Sequence, residues 1–495
     1  MGRPDHHPDG VVETHVSRLV FLGDRVYKVK KPVRFAFLDF STVEARAEAC
    51  LREVQLNRRL SPDVYLGVLD VVGAGGRAVE HVVEMRRMPP ERRLASLVLE
   101  GAPDVEDQVR AVAHRIAAFH AAAARGGAID DDASHGTVSA AWAANLAEMA
   151  PFARGPDPVF DPAVLSEVEH RALRWLDGRS AVFADRIAGG HAVDGHGDLM
   201  AEDIFCLDDG PRILDCIEFD DHLRHVDVWN DVAFLVMDLE RLGRPDLGDL
   251  LRDTYREMSA DSAPRALVDV FVAYRALVRA KVAGLRARQT DPGPDREASV
   301  AEARARLAQC NDHLRHARIR LVVVGGLPGT GKTTVASELA EAIDAAVLSS
   351  DPLRKELVGV GADGPAASGY RTGAYTDDVT EATYAALLAR ARVLLERGES
   401  VILDASWVRA AHRDAARALA VELGAELSEL RCTCPVDVAV ARIVARRAAG
   451  DLESDADEAV AAAMAADEDP WAEAVGVDTA GTVVDAVQVA LRTLE

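Results

Sequence analysis

The run Gly326-Leu327-Pro328-Gly329-Thr330-Gly331-Lys332-Thr333-Thr334 has the residue types and spacing of a phosphate-binding loop. Its glycines let successive backbone N–H groups turn inward onto anionic oxygens, and Lys332 adds a full positive charge at the outer phosphates. Thr333 offers a hydroxyl to Mg²⁺, while Pro328 and Gly329 stiffen the turn and clear space for the backbone. The chemistry expected is binding of a nucleoside triphosphate, ATP or GTP, with magnesium.

Further along, Asp351 and Arg354 stand in Ser349-Ser-Asp-Pro-Leu-Arg, just after an apolar stretch. An acid there can take a proton from a substrate hydroxyl while the arginine holds an anion; the plain alternative is an N-cap. Asp404 follows Val401-Ile-Leu and is expected to hold magnesium through water, unless it is only a turn residue. Arg442, Arg446 and Arg447 recur on one helical pattern ahead of the polar stretch Gly450–Asp455. That suits a lid whose arginines close on a phosphoryl group, and equally a solvated helix face.

A second constellation lies upstream: His196-Gly-Asp198-Leu-Met-Ala-Glu-Asp203, then the turn Asp208-Asp-Gly210, then Arg212-Ile-Leu-Asp215-Cys-Ile-Glu218. Asp198, Asp203 and Asp215 are expected to converge on one or two magnesium ions, with one of them orienting a hydroxyl; solvated turns are the bland alternative.

Different elements must position the two groups. Before residue 287 the order is α+β. Ser17–Leu22, Gly23-Asp24 and Val26–Lys30 form a hairpin, and Ser41–Leu60 is a helix with Ser41 as N-cap and Glu44 completing a capping box. A strand follows at Val79–Met85 and a helix at Val105–Ala124. The breaker cluster Thr290-Asp-Pro-Gly-Pro opens a charged helix, Glu297–His316, expected to connect two domains with a solvated face. Beyond it strands alternate with helices: Arg320–Gly325, Thr333–Ile343, Ala345–Ser349, Thr376–Arg397, Ser400–Leu403, Arg409–Leu423 and Ala425–Cys432. Alternation of this kind builds an α/β domain on a parallel sheet. The expected division is therefore 1–287, a helical linker at 288–317, and 318–495.

From about residue 319 to the end, the chain resembles the small P-loop kinases, such as gluconate kinase, polynucleotide kinase and the zeta toxins. The resemblance implies that Asp351 and Arg354 bind and activate an acceptor hydroxyl. His196-Gly-Asp198-Leu is similar to the catalytic motif of aminoglycoside phosphotransferases and the choline- and fructosamine-kinase-like enzymes, which share the protein-kinase fold. Here the resemblance implies Asp198 as base, Asp203 and Asp215 as metal ligands, and Asp231 as a brace for the loop. It also implies a Lys–Glu pair on the α/β phosphates, with Lys28 or Lys30 on the hairpin and Glu53 on the helix, and a hinge at Val82–Met85 that reads adenine. Asp203 stands where that family has Asn, and no Gly-x-Gly-x-x-Gly loop is present. A chain with both halves resembles bacterial fusion proteins of phosphotransferase-like ATPase type.

The formal net charge of −24 argues against general binding of nucleic acid and against docking to an anionic membrane. With 49% hydrophobic and 28% charged residues, the composition is that of a globular protein. The six cysteines are too scattered for a disulfide framework, and Cys432-Thr-Cys434 reads as the buried end of a strand rather than a metal or redox pair. The polar start of the chain and the lack of an apolar run of about 18 residues point to the cytosol. Two ATP- and Mg²⁺-dependent phosphotransferase sites for small hydroxylated molecules are the leading expectation. The alternatives are a regulatory protein in which only the P-loop domain turns over ATP, and an enzyme whose N-terminal cleft takes a cationic antibiotic.

Overall fold

The computed structural model describes residues 10–14, 16–35, 38–359, 376–448 and 458–494. Contacts divide the chain into two units: Met1–Ala172 with Phe183–His316, and Leu173–Val182 with Ala317–Glu495.

The first unit opens with an antiparallel sheet in the order Gly10–Glu13, Ser17–Leu22, Arg25–Lys30, Ala78–Arg86, Tyr65–Val72. The hairpin turns at Gly23, whose φ of +56° is one that a side chain resists. Period-two alternation puts Lys28 and Lys30 on one face of the third strand. The helix Val43–Asn57 packs against the sheet, burying Cys50 and Val54 among Val26, Val83 and Met85. Its N-cap is Thr42 rather than Ser41: the Thr42 hydroxyl accepts from Ala45 N–H at 3.1 Å, whereas the Ser41 hydroxyl turns back to Asp39 at 2.5 Å. Glu44 is consequently one position short of closing a capping box.

The rest of this unit is mainly helical. Val228–Arg241 is buried along almost its whole length, and Arg265–Gln289 packs on it. The expected linker at 288–317 departs from its reading. Its helix, Pro294–His316, lies along Arg265–Gln289 and belongs to the first unit. Ser299, Ala303, Leu307, Cys310 and Leu314 form a buried stripe at three- and four-residue spacing, which the more numerous charged residues disguise in the sequence. His313 bonds Glu240 at 2.8 Å and Asp269 at 2.9 Å, which raises its pKa to about 9 despite burial.

The second unit is α/β, with parallel strands in the order Ala345–Ser349, Ser400–Asp404, Arg320–Gly325, Glu426–Thr433, Val475–Asp478. Val322, Val324, Ile402 and Leu430 from the sheet pack with Val335 and Leu339 of the helix Lys332–Ile343. The last strand and the helix Val483–Thr493 were not expected; four residues of strand leave little periodicity to read. Gly325 is wedged by aromatic rings: a Cβ there would lie 2.3 Å from Trp471 and 3.3 Å from Trp407. Trp407 adopts φ +55° and donates its N–H to Tyr384 Oη at 3.0 Å. Cys432 ends a buried strand, as the plainer reading held, and burial pushes its thiol up to about 12. Among the described residues, no helix is long and apolar enough to cross a membrane.

Candidate functional site

In the second unit the central strand ends at Gly325 and the helix starts at Lys332, so the loop Gly326–Gly331 bridges them. Gly329 has φ +83°, and a Cβ there would come within 2.5 Å of the Ala439 carbonyl. Only glycine fits that close approach. Asp404, at the end of the neighbouring strand, accepts on Oδ2 from the hydroxyls of Thr333 at 2.9 Å and Ser349 at 3.1 Å. It is 4% exposed, not a solvated turn, and burial raises its pKa against the pull of Lys332 and the Thr333 hydroxyl. Its second oxygen, Oδ1, is buried with no hydrogen-bond partner. Lys332 itself makes no ion pair at contact distance among the described residues.

Asp351 lies inside the first turn of the helix Ser350–Leu357, whose N-cap position is Ser349, so Asp351 is not a cap. Its carboxylate meets Arg354 at 3.2 Å, one turn on. Arg442, on the helix Val436–Ala448, donates to Thr479 O at 2.7 Å and lies 3.4 Å from the space above Gly331. That brings it beside the phosphate loop. Arg446 is half-buried and Arg447 exposed further along the same helix; Gly450–Asp455 lies outside the described residues.

In the first unit a cavity of ≈ 350 Å³ is lined by Lys28, Lys30, Asp198, Asp203, Asp215 and Glu218 on its polar side. Leu19, Phe21, Val26, Met85, Phe205 and Leu214 form an apolar wall, and the cavity reaches Arg86 and Arg87 just after the expected hinge. Lys28 meets Glu53 at 2.7 Å and Asp215 at 2.6 Å, whereas Lys30 meets the other oxygen of Glu53 at 2.6 Å and pairs with Glu218. The structure therefore separates the two lysines. Both border the cavity, but Lys28 is the more exposed and meets Asp215, whereas Lys30 is 1% exposed and is held between Glu53 and Glu218. Burial alone would discharge Lys28, but Asp215 and Glu53 hold it well above its ordinary value. Burial likewise works against the Glu53 carboxylate, which both lysines hold below its usual range.

Asp231 accepts the N–H groups of His196 at 2.7 Å and Gly197 at 2.8 Å, and His120 bonds it at 3.1 Å. Despite complete burial, these partners keep its carboxyl well below the usual range. His196 bonds the Leu214 carbonyl at 3.1 Å, and burial drops its pKa to about 4, so it is neutral. Burial pushes Asp198 up to about 6, against the pull of Arg279 and Arg275 and with help from Asp215. Asp215 holds φ +68° and donates its N–H to Tyr65 Oη at 3.1 Å; this left-handed backbone is uncommon outside glycine.

The AAA domain family matches residues 321–470, the span that carries the loop, Asp351, Asp404 and Arg442. The uncharacterized protein Rv2004c of Mycobacterium tuberculosis is 44% identical over 471 residues, covering 95% of this chain and 92% of its own. The chain belongs to that protein's family. Among solved structures, a sugar kinase from Janibacter is 20% identical, covering 36% of this chain and 94% of its own, with a TM-score of 0.29. A choline/ethanolamine kinase family protein from Mesorhizobium loti is 13% identical over 62% of this chain and 92% of its own, with a TM-score of 0.39.

In this family member, the two sites differ in how they would receive Mg²⁺ and nucleotide. The orphaned Oδ1 of buried Asp404, beside the Thr333 hydroxyl, is a hard oxygen donor without a partner, which fits a divalent cation. Asp203 and Asp215 offer the right donor type. However, among the described residues no group of three or more His, Cys, Asp or Glu side chains is spaced to hold a metal, and Asp215 is engaged by Lys28.

Sequence reasoning missed three residues at the first site. Glu218 backs Lys30; its signal was an acid set between apolar Ile217 and Phe219. Asp238 accepts Ala201 N–H at 2.9 Å and Arg241 at 2.5 Å, and an acid inside an otherwise apolar helix should have flagged it. Arg275 had no local signal.

Proposed function

We propose that this protein is a bifunctional phosphotransferase with two separate ATP and Mg²⁺ sites, each acting on a small hydroxylated molecule. The observation that carries the reading is a repeated pairing: each unit sets a cation for phosphate near a carboxylate and a separate candidate base. In the first unit these are Lys28, Asp215 and Asp198; in the second they are Lys332, Asp404 and Asp351.

When bound, Mg²⁺ would neutralise the outer phosphate oxygens and so ease attack on phosphorus. Thr333, Asp404, Asp203 and Asp215 are the residues that would hold it. Glu53 and Lys30 fix Lys28 at the phosphate side of the first cavity. Asp231 and His196 hold the loop so that Asp198, in its deprotonated form, accepts the acceptor's proton. In the second unit the amides of Gly326–Gly331 and the helix N-terminus meet the phosphates. Arg354 orients Asp351 for the same proton transfer, and Arg442 is placed beside the nucleotide loop.

One observation favours a second reading, in which the first unit only senses nucleotide: Asp215 is tied to Lys28 instead of standing open to a metal. γ-Labelled ATP and an untargeted metabolite extract distinguish the two. If Asp198→Asn leaves all labelled products intact while Lys332→Ala abolishes them, the first unit is a sensor.

A further inference from the structure

The loop His196–Ala201 runs along the helix Val228–Arg241, which holds it at both ends through Asp231 and Asp238. The helix Arg265–Gln289 packs on that same helix and lays Arg275 across it. Arg275 Nε donates to Asn230 O at 3.0 Å, and its guanidinium sits 4.7 Å above the centre of the Phe234 ring. Asn230 directly precedes Asp231, and Phe234 lies between Asp231 and Asp238 on the face that meets the loop. The side chain is only 5% exposed, yet Nη2 is buried without a hydrogen-bond partner.

Arg279 is one helical turn further on the same face, half-buried, and makes no hydrogen bond or ion pair among the described residues. Both guanidinium groups act on Asp198, opposing the burial that raises its pKa. A role in packing explains the stack on Phe234 and the bond from Nε. It leaves Nη2 and Arg279 unexplained. A buried donor without an acceptor is costly, in a chain whose 81 acids outnumber its 57 lysines and arginines.

We propose that the acceptor of the first unit is an anionic hydroxyl compound, whose carboxylate or phosphate is gripped by Arg275 and Arg279 beside Asp198. This rests on reading the first unit as a phosphotransferase. The acceptor hydroxyl passes its proton to the Asp198 carboxylate as its oxygen bonds to the γ-phosphorus of ATP. The bond from that phosphorus to the β,γ-bridging oxygen breaks, and ADP leaves with the electron pair. Two arginines offset the charge of an acceptor that must approach a triphosphate and several carboxylates. A cationic acceptor would face those arginines instead.

The test uses full-length Lys332→Ala protein, so that the second site is silent, with γ-labelled ATP and Mg²⁺. The probes are the anionic, neutral and cationic fractions of a small-molecule extract separated by ion exchange. The anionic fraction is also tested after phosphatase treatment and removal of the phosphatase. The expected result is labelled product from the anionic fraction that disappears in Asp198→Asn. Survival after phosphatase identifies a carboxylate acceptor, and loss identifies a phosphate ester. Arg279→Gln should raise the half-saturating amount of that fraction at least tenfold, leave KM for ATP within twofold, and be partly rescued by Arg279→Lys. Asp198-dependent label from only the neutral or cationic fraction overturns the anionic assignment and leaves phosphotransfer standing. No Asp198-dependent label from any fraction overturns both. An equal loss of ATP and acceptor affinity in Arg279→Gln removes Arg279 from the acceptor site.

Discussion

The two lysines proposed to meet phosphate sit in opposite electrostatic settings. Lys28 is enclosed with Lys30 among Glu53, Asp215 and Glu218, so its charge is compensated before any ligand arrives. Lys332 stands at a helix N-terminus without an ion pair at contact distance among the described residues, next to backbone amides arranged by glycine. The first site is organised by side-chain charges that hold one another; the second is organised by the backbone. Damage to the first should therefore spread into the fold, and damage to the second should stay in the chemistry.

The sharpest break between them comes from the base. Asp198→Asn should lower first-unit phosphotransfer by about 10²–10⁴-fold and leave ATP turnover by the second unit untouched, read with acceptor-specific assays. Lys332→Ala should cost the second unit about 10²–10³-fold in turnover, with a change of less than about 0.5 kcal/mol in stability by denaturant titration. Its counterpart sharpens the contrast: Lys30→Ala leaves Glu218 buried without its cation and Glu53 with Lys28 alone, and should destabilise the first unit by about 3–5 kcal/mol. If Lys30→Ala unfolds no more readily than Lys332→Ala, the two sites do not differ in how far they are built into the fold.

A smaller effect separates the sites by pH. Asp198 is protonated below about 6 and cannot then accept a proton, whereas His196, with a pKa of about 4, stays neutral across this range. First-unit kcat/KM should thus fall roughly tenfold per pH unit below that point and level off above it. Asp198→Glu would move the inflection if this carboxyl is the base. Smallest is Gly23→Ala in the hairpin, where φ is +56° and no atom lies within 4 Å of the new methyl. It should cost about 1–2 kcal/mol, while Gly329→Ala, blocked by the Ala439 carbonyl, should disturb nucleotide binding itself.

What the sequence made legible was chiefly local. The hairpin, the strand Arg320–Gly325 and the loop after it announce themselves through adjacent residues, and they fold where expected. Lys28, Asp198 and Asp215 came to one cavity, with Glu53 paired to Lys28, because their order follows a recognisable pattern along the chain. The roles of Lys28 and Lys30 could not be told apart, because the difference depends on Glu218, 188 residues from Lys30. Arg275 reads as one more charge on a long helix; only the packing of that helix on Val228–Arg241 gives it a place beside the loop. The helix Pro294–His316 was misplaced for a related reason, since charged residues outnumber the narrow buried stripe of Ser299, Ala303, Leu307, Cys310 and Leu314.

The crowding of Gly325 has an optical consequence. Trp471 and Trp407 close on the residue that immediately precedes the nucleotide loop, and both indoles are almost wholly shielded from water. The Trp471 N–H is bonded to the buried Glu429 carboxylate at 2.5 Å, which fixes the orientation of its emitting ring. Any shift of the backbone at Gly325 must alter the surroundings of one indole or the other. The protein thus carries its own fluorescent gauge at the mouth of the second site, readable in a stopped-flow instrument without dye or label.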